Sequence, residues 1–109
     1  MKREVITYNA IEGFHRYPDA PGFCDFLGKR HRHVFVIRCR FEVTHNEREI
    51  EIIEQQRKID NAIGIRFGKP AEFGDLSCES IAEFLIDSFD NIVEVEVLED
   101  GYGGASLSR

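Results

Sequence analysis

The 109-residue chain is 42% hydrophobic and 31% charged, which suits one small domain around one core and excludes two. Its 14 Lys+Arg against 20 Asp+Glu leave a net charge of −6, so it lacks the basic surplus of a generic nucleic-acid or anionic-membrane binder. No apolar run approaches the roughly 18 residues of a membrane helix, and three prolines are too few for a disordered segment.

Glu4 and its polar neighbours stand where a signal peptide wants an unbroken apolar stretch, which places the chain in the cytoplasm as an expectation. The three cysteines, Cys24, Cys39 and Cys78, are odd in number and have no C-x-x-C spacing. That argues against a disulfide framework and against a Cys-rich structural zinc site. No repeat or linker divides residues 1–109, so they read as a single domain.

In chain order, Lys2–Asn9 has the composition of a strand. Tyr17–Gly28 holds Pro18, Pro21 and Gly22 and reads as a loop. His31–Val43 is the clearest strand: His31, His33, Phe35, Ile37, Cys39, Phe41 and Val43 alternate with Arg32, Arg38, Arg40 and Glu42. Thr44–Glu47 reads as a turn, and Arg48–Ile53 as an antiparallel return strand. Glu54–Ala62 is rich in helix formers, whereas Gly64–Gly74 reads as irregular. Ser77–Phe89 is the best helix, with Ser77 as N-cap, Glu79 in the first turn and Ile81, Phe84, Leu85 and Phe89 on one stripe. Ile92–Leu98 is a half-exposed strand, and the glycine-rich tail Gly101–Arg109 is expected to be partly ordered at most. Short turns between strands and grouped helices predict an antiparallel α+β layer, with the helices on one sheet face.

The pattern that carries chemistry is His31-Arg32-His33. On a strand, side chains at i and i+2 leave the same face roughly 6–7 Å apart, so two imidazoles can converge on one ion, and His15 can supply a third ring from a neighbouring strand. Three His ligands leave a fourth position open, as catalytic zinc sites do. A His-x-His pair is also common on ordinary surfaces, and that reading stays open beside the first. Glu99 shares the Val93, Val95 and Val97 side by period two, and an acid aligned with an apolar face needs a partner. Lys29-Arg30-His31-Arg32 is either a phosphate cradle or a solvated strand entrance. Cys24 is either a base or nucleophile, with a thiolate favoured by a nearby cation, or an ordinary loop thiol. Cys39 and Cys78 are read as packing residues.

Phe14-His15, a loop with Cys24, and His31-x-His33 at a strand start resemble the 6-pyruvoyl-tetrahydropterin synthase and 6-carboxytetrahydropterin synthase family. Leu76-Ser77-Cys78-Glu79-Ser80 is similar to that family's P-T-S-E-N helix start, and Val95–Asp100 followed by Ala105 to its V-x-V-x-E-T…A ending. The resemblance implies a tunnelling fold: a four-stranded antiparallel sheet with two helices on one face, assembled into a ring as a trimer or hexamer. It implies Zn²⁺ on His15, His31 and His33, a pterin substrate such as 7,8-dihydroneopterin triphosphate anchored by Glu99, Ser77 and Glu79 as pocket residues, and Cys24 as a proton-transfer group. The implied activity is that of a zinc-dependent lyase.

The chain also departs from the family. Six residues separate Cys24 from His31, and Leu27 stands where a shorter family spacing puts the thiol. Arg32 replaces the glycine of H-G-H, and the Asp-His relay ahead of the second helix is missing, His45 being the only other histidine. These departures motivate a second expectation, a pterin- or nucleotide-binding protein of the same fold without synthase turnover.

Overall fold

The structure, a computed structural model, describes residues 1–109. Strand β1 (Arg3–His15) leads through a loop and a short 3-10 segment (Gly22–Gly28) into β2 (His31–Val43). Helix α1 (Ile52–Phe67), β3 (Ala71–Gly74), α2 (Cys78–Ser88), β4 (Ile92–Glu99) and β5 (Gly103–Ser108) follow. The five strands form one sheet in the order β3-β1-β2-β4-β5, with β3 parallel to β1 and the other neighbours antiparallel. The fold is therefore α+β as expected, but the sheet has five strands and is mixed, where four antiparallel strands were anticipated. No helix is long and apolar enough to cross a membrane.

Alternation along β2 sets the core. Phe35, Ile37, Cys39 and Phe41 are completely buried on the inward face, where Ile59 and Ile63 of α1, Ile81 and Leu85 of α2, and Val95 and Val97 of β4 join them in one cluster. Outward, Arg40 pairs with both Glu4 and Glu94, and Arg38 with Glu94, tying β1, β2 and β4 together across the uncovered face. Ser77 caps α2 as its pattern predicts, its side chain accepting from the Ser80 N–H.

Four segments differ from the sequence reading, the tail among them, each for an identifiable reason. Arg48–Ile53 is not a return strand, because both edges of β2 are already taken, by β1 and by β4. The chain instead turns through Arg48 at φ 52° and enters α1, where Glu51 accepts from the Glu54 N–H as N-cap. Strand β1 runs six residues past Asn9, since its inward positions there are Ile11, Gly13 and His15, a set that hides a strand's apolar alternation. The segment read as irregular holds the end of α1 and β3, which extends the sheet beside β1.

The tail is ordered as β5, antiparallel to β4 along Glu94–Glu99. Gly104 makes this pairing possible: a Cβ there meets the Val97 carbonyl oxygen at 1.8 Å. The obstacle is backbone and cannot rotate away, so Gly104→Ala should cost about 1–3 kcal/mol and loosen the last strand. Limited proteolysis tests this: the wild-type tail should resist cleavage and the variant's tail should be trimmed first.

Candidate metal centre

The long β1–β2 pairing places His15 directly opposite His31, with Gly13 opposite His33. His15 closes β1, and the two β2 histidines open their strand on its inward face. The three rings lie edge to face, with centroids 4.6 Å (His15–His31), 4.9 Å (His31–His33) and 5.2 Å (His15–His33) apart. Their ligating nitrogens all fall within 4.8 Å of one another. The convergence expected from His-x-His plus a neighbouring strand is present in the fold.

Each ring is held by its Nδ1. His15 Nδ1 donates to the Leu76 carbonyl (3.0 Å) and His31 Nδ1 to the Lys29 carbonyl (2.8 Å). His33 Nδ1 lies 2.7 Å from Asp100 Oδ2. A carbonyl can only accept, so Nδ1 of His15 and of His31 carries a proton, and in the neutral ring Nε2 is left as a lone pair. This is the outer-shell pattern that orients metal-binding imidazoles. Nε2 of His15 and of His33 are buried without a hydrogen-bond partner. Burial is the main influence lowering the pKa of His15 below its ordinary value, against the Leu76 contact and the Glu99 charge. An imidazole kept neutral with its lone pair free has the protonation state a metal ligand needs. By donor chemistry and by orphaned buried nitrogens, the three residues fit a divalent cation.

Around them opens a cleft of about 800 Å³. Glu99 ends β4 opposite Phe35, one step along the face from His33. Its carboxylate reaches 3.0 Å from His15 Nε2 and 3.7 Å from His33 Nε2. Ser77 and Glu79, at the start of α2, line the cleft. Cys24 lies half-buried on the 3-10 segment and is not among the lining residues; Leu27 of the same segment is. Val93 does not share the inward side with Val95 as strict alternation predicts: a bulge in the β2–β4 pairing hands that place to Ile92. Beyond the bulge the alternation holds and delivers Glu99 to the site.

Two contributors escaped the sequence reading. Asp100 sits at φ 54°, its N–H donating to the Val34 carbonyl, while Oδ1 accepts from the Val34 N–H and Oδ2 takes His33. The His33 contact and the Val34 N–H hold its carboxyl below the usual range. The Asp100-Gly101 dipeptide after the strand was its only sequence signal. The second is Cys78, whose Sγ lies 3.8 Å from Glu99 Oε2. Burial, with the Glu99 and Glu79 charges adding, pushes this thiol up to about 12, so it stays protonated and donates to Glu99.

The basic cluster resolves into ion pairs. Arg30 pairs with Glu72 and stacks over Phe14, and Arg32 pairs with Glu12 at 2.6 Å. The cleft itself offers one guanidinium, Arg16, which is bound to Asp75, against the carboxylates of Asp75, Glu79, Glu99 and Asp100. No protein-family model matches this chain, and no curated protein matches it.

The buried thiols predict an alkaline limit to stability. Cys39 and Cys78 are both held up to about 12 from an ordinary 9.0, so the fold keeps them protonated while the unfolded chain ionises near 9. Their contribution is full below about pH 9 and is lost as pH rises toward about 12, at up to ~1.4 kcal/mol per unit of pH for each thiol. Urea denaturation followed by circular dichroism across this range should show that decline, and Cys39→Ala should make it shallower.

Proposed function

We propose that this protein is a zinc-dependent enzyme of the tetrahydropterin synthase type, a lyase acting on a pterin. The single observation that supports it best is the convergence of one ring nitrogen each from His15, His31 and His33 in a cleft shared with the Glu99 carboxylate. Zn²⁺, when bound there, supplies a Lewis acid that polarises a substrate oxygen. The chain's own residues do the rest. Glu99 presents two oxygens to the guanidine-like edge of a pterin, where a carboxylate accepts parallel N–H bonds. Ser77 and Glu79 border the ligand from the start of α2. The surplus of carboxylates over cations in the cleft favours a pterin without a triphosphate tail over 7,8-dihydroneopterin triphosphate itself. In the same reading the chain adopts the tunnelling fold and assembles into a trimer or hexamer.

A second reading is a pterin- or nucleotide-binding protein without turnover. Its support is the placing of Leu27 at the cleft where a proton-transferring thiol is needed, with Cys24 outside the lining.

Purified protein should hold about one zinc per chain, and His31→Ala should lose it. Asp100→Ala should weaken zinc binding by roughly 10–100-fold, through loss of the carboxylate that orients His33. A folded, metal-free wild type that cannot be reconstituted would sink the proposal. Turnover and binding of 7,8-dihydroneopterin, with and without its triphosphate, separate the two readings: product formation selects the enzyme, and binding without product selects the second.

A further inference from the structure

Glu99 is more than a bystander to the histidines. In the neutral ring His15 Nε2 is a lone pair, because the Leu76 carbonyl holds the single proton on Nδ1. Glu99 Oε2 sits 3.0 Å from that lone pair, with Oε1 3.7 Å from His33 Nε2. Neither nitrogen makes a hydrogen bond to the carboxylate or to anything else, although both are buried. Two electron-pair donors facing one another at 3.0 Å repel unless a cation, a proton or a metal ion, lies between them. Ligand atoms about 2.0–2.2 Å from a tetrahedral zinc are themselves roughly 3.3–3.6 Å apart; one Glu99 oxygen stands 3.0 Å from His15 and the other 3.7 Å from His33, so a rotation of the carboxylate toward His31 completes the set. The outer face of the carboxylate is supported too, since the protonated Cys78 thiol donates to Oε2. Ligating carboxylates are characteristically hydrogen-bonded in this way.

We propose that Glu99 is the fourth protein ligand of the metal, so that the resting centre is His₃Glu and closed. This rests on reading the three histidines as a metal centre. It has a consequence for that reading: a substrate reaches the metal only by displacing Glu99. The carboxylate released from the metal is then free to take the ligand's guanidine-like edge, so opening of the centre and anchoring of the ligand are one event.

The test uses Co²⁺ in the full chain, with Glu99→Gln, which keeps the side chain's shape, and Glu99→Ala as a second variant. Visible absorption of the wild-type Co²⁺ protein should be insensitive to azide, because no exchangeable position is open. Both variants should bind Co²⁺ at least 10-fold more weakly, and their spectra should shift on adding azide. Wild-type affinity in both variants would overturn the proposal, as would a wild-type spectrum that responds to azide as theirs do. Either result would leave the histidine centre standing. Failure of the wild type to take up Co²⁺ or Zn²⁺ would remove the centre and the proposal together. Unaltered circular dichroism in Glu99→Gln keeps misfolding out of the comparison.

Discussion

The structure depends above all on the register between β1 and β2. Thirteen consecutive residue pairs, from Arg3 opposite Val43 to His15 opposite His31, run without a bulge. Since side chains alternate with period two, a slip of one residue would turn Thr7, Asn9 and His15 out of the core face and bring Ile6, Tyr8 and Phe14 in. The pairing brings two histidines from distant parts of the chain into a cross-strand pair, and alternation along β2 adds the third. The convergence of the three rings therefore comes from sheet pairing alone, on the two longest strands of the sheet, with no loop needed to deliver a ring. Rigid placement of this kind is what a coordination site requires.

How much of this could be read in the sequence follows from where the information is local. β2 was legible because its apolar set and its charges alternate without interruption, and α2 because a cap, an acid and an apolar stripe agree over eleven residues. The His-x-His pair was legible for the same reason as β2. β3 and β5 were not, because each is short and glycine-bearing and exists only by pairing with a neighbour distant in sequence or, for β5, by the absence of a Cβ at Gly104. Ile50-Glu51-Ile52 imitates a strand, but a strand needs a free edge, and the occupancy of both β2 edges is a property of the whole sheet. Among site residues, Glu99 could be found by counting in twos from Val95, despite a bulge two positions earlier. Asp100 could not, since its role comes from a left-handed backbone turn.

That turn shows how fold and chemistry are joined. β4 ends at Glu99, the Tyr102 N–H returns to the Glu99 carbonyl, and Asp100 is clamped to Val34 through both its N–H and its side chain. With the backbone fixed at three points, consecutive residues diverge to opposite sides of one imidazole: Asp100 meets Nδ1 of His33 and Glu99 faces Nε2. Two carboxylates then define both nitrogens of the same ring, one setting the tautomer and the other bordering the lone pair. Any change that frees the β4–β5 turn moves both together, so the last strand supports the site although none of its side chains bears on the rings.

The charge distribution around the rings narrows the chemistry further. Lys29, Arg30 and Arg32 precede or interleave the histidines and, on sequence alone, offer a phosphate grip. In the fold Arg30 and Arg32 are spent on Glu72 and Glu12, carboxylates of the neighbouring strands, which fasten β1, β2 and β3 at the site's rim. An anionic ligand would have to break those pairs or meet a wall of carboxylates. A cation meets neither obstacle, and neither does a neutral heterocycle that donates hydrogen bonds. Cys78 fits the same picture, because burial first, with the neighbouring negative charges adding, keeps its thiol protonated, as a donor to Glu99 rather than a competing ligand. The cleft is thus arranged to concentrate positive charge at three imidazoles and to offer acceptors to whatever binds beside it.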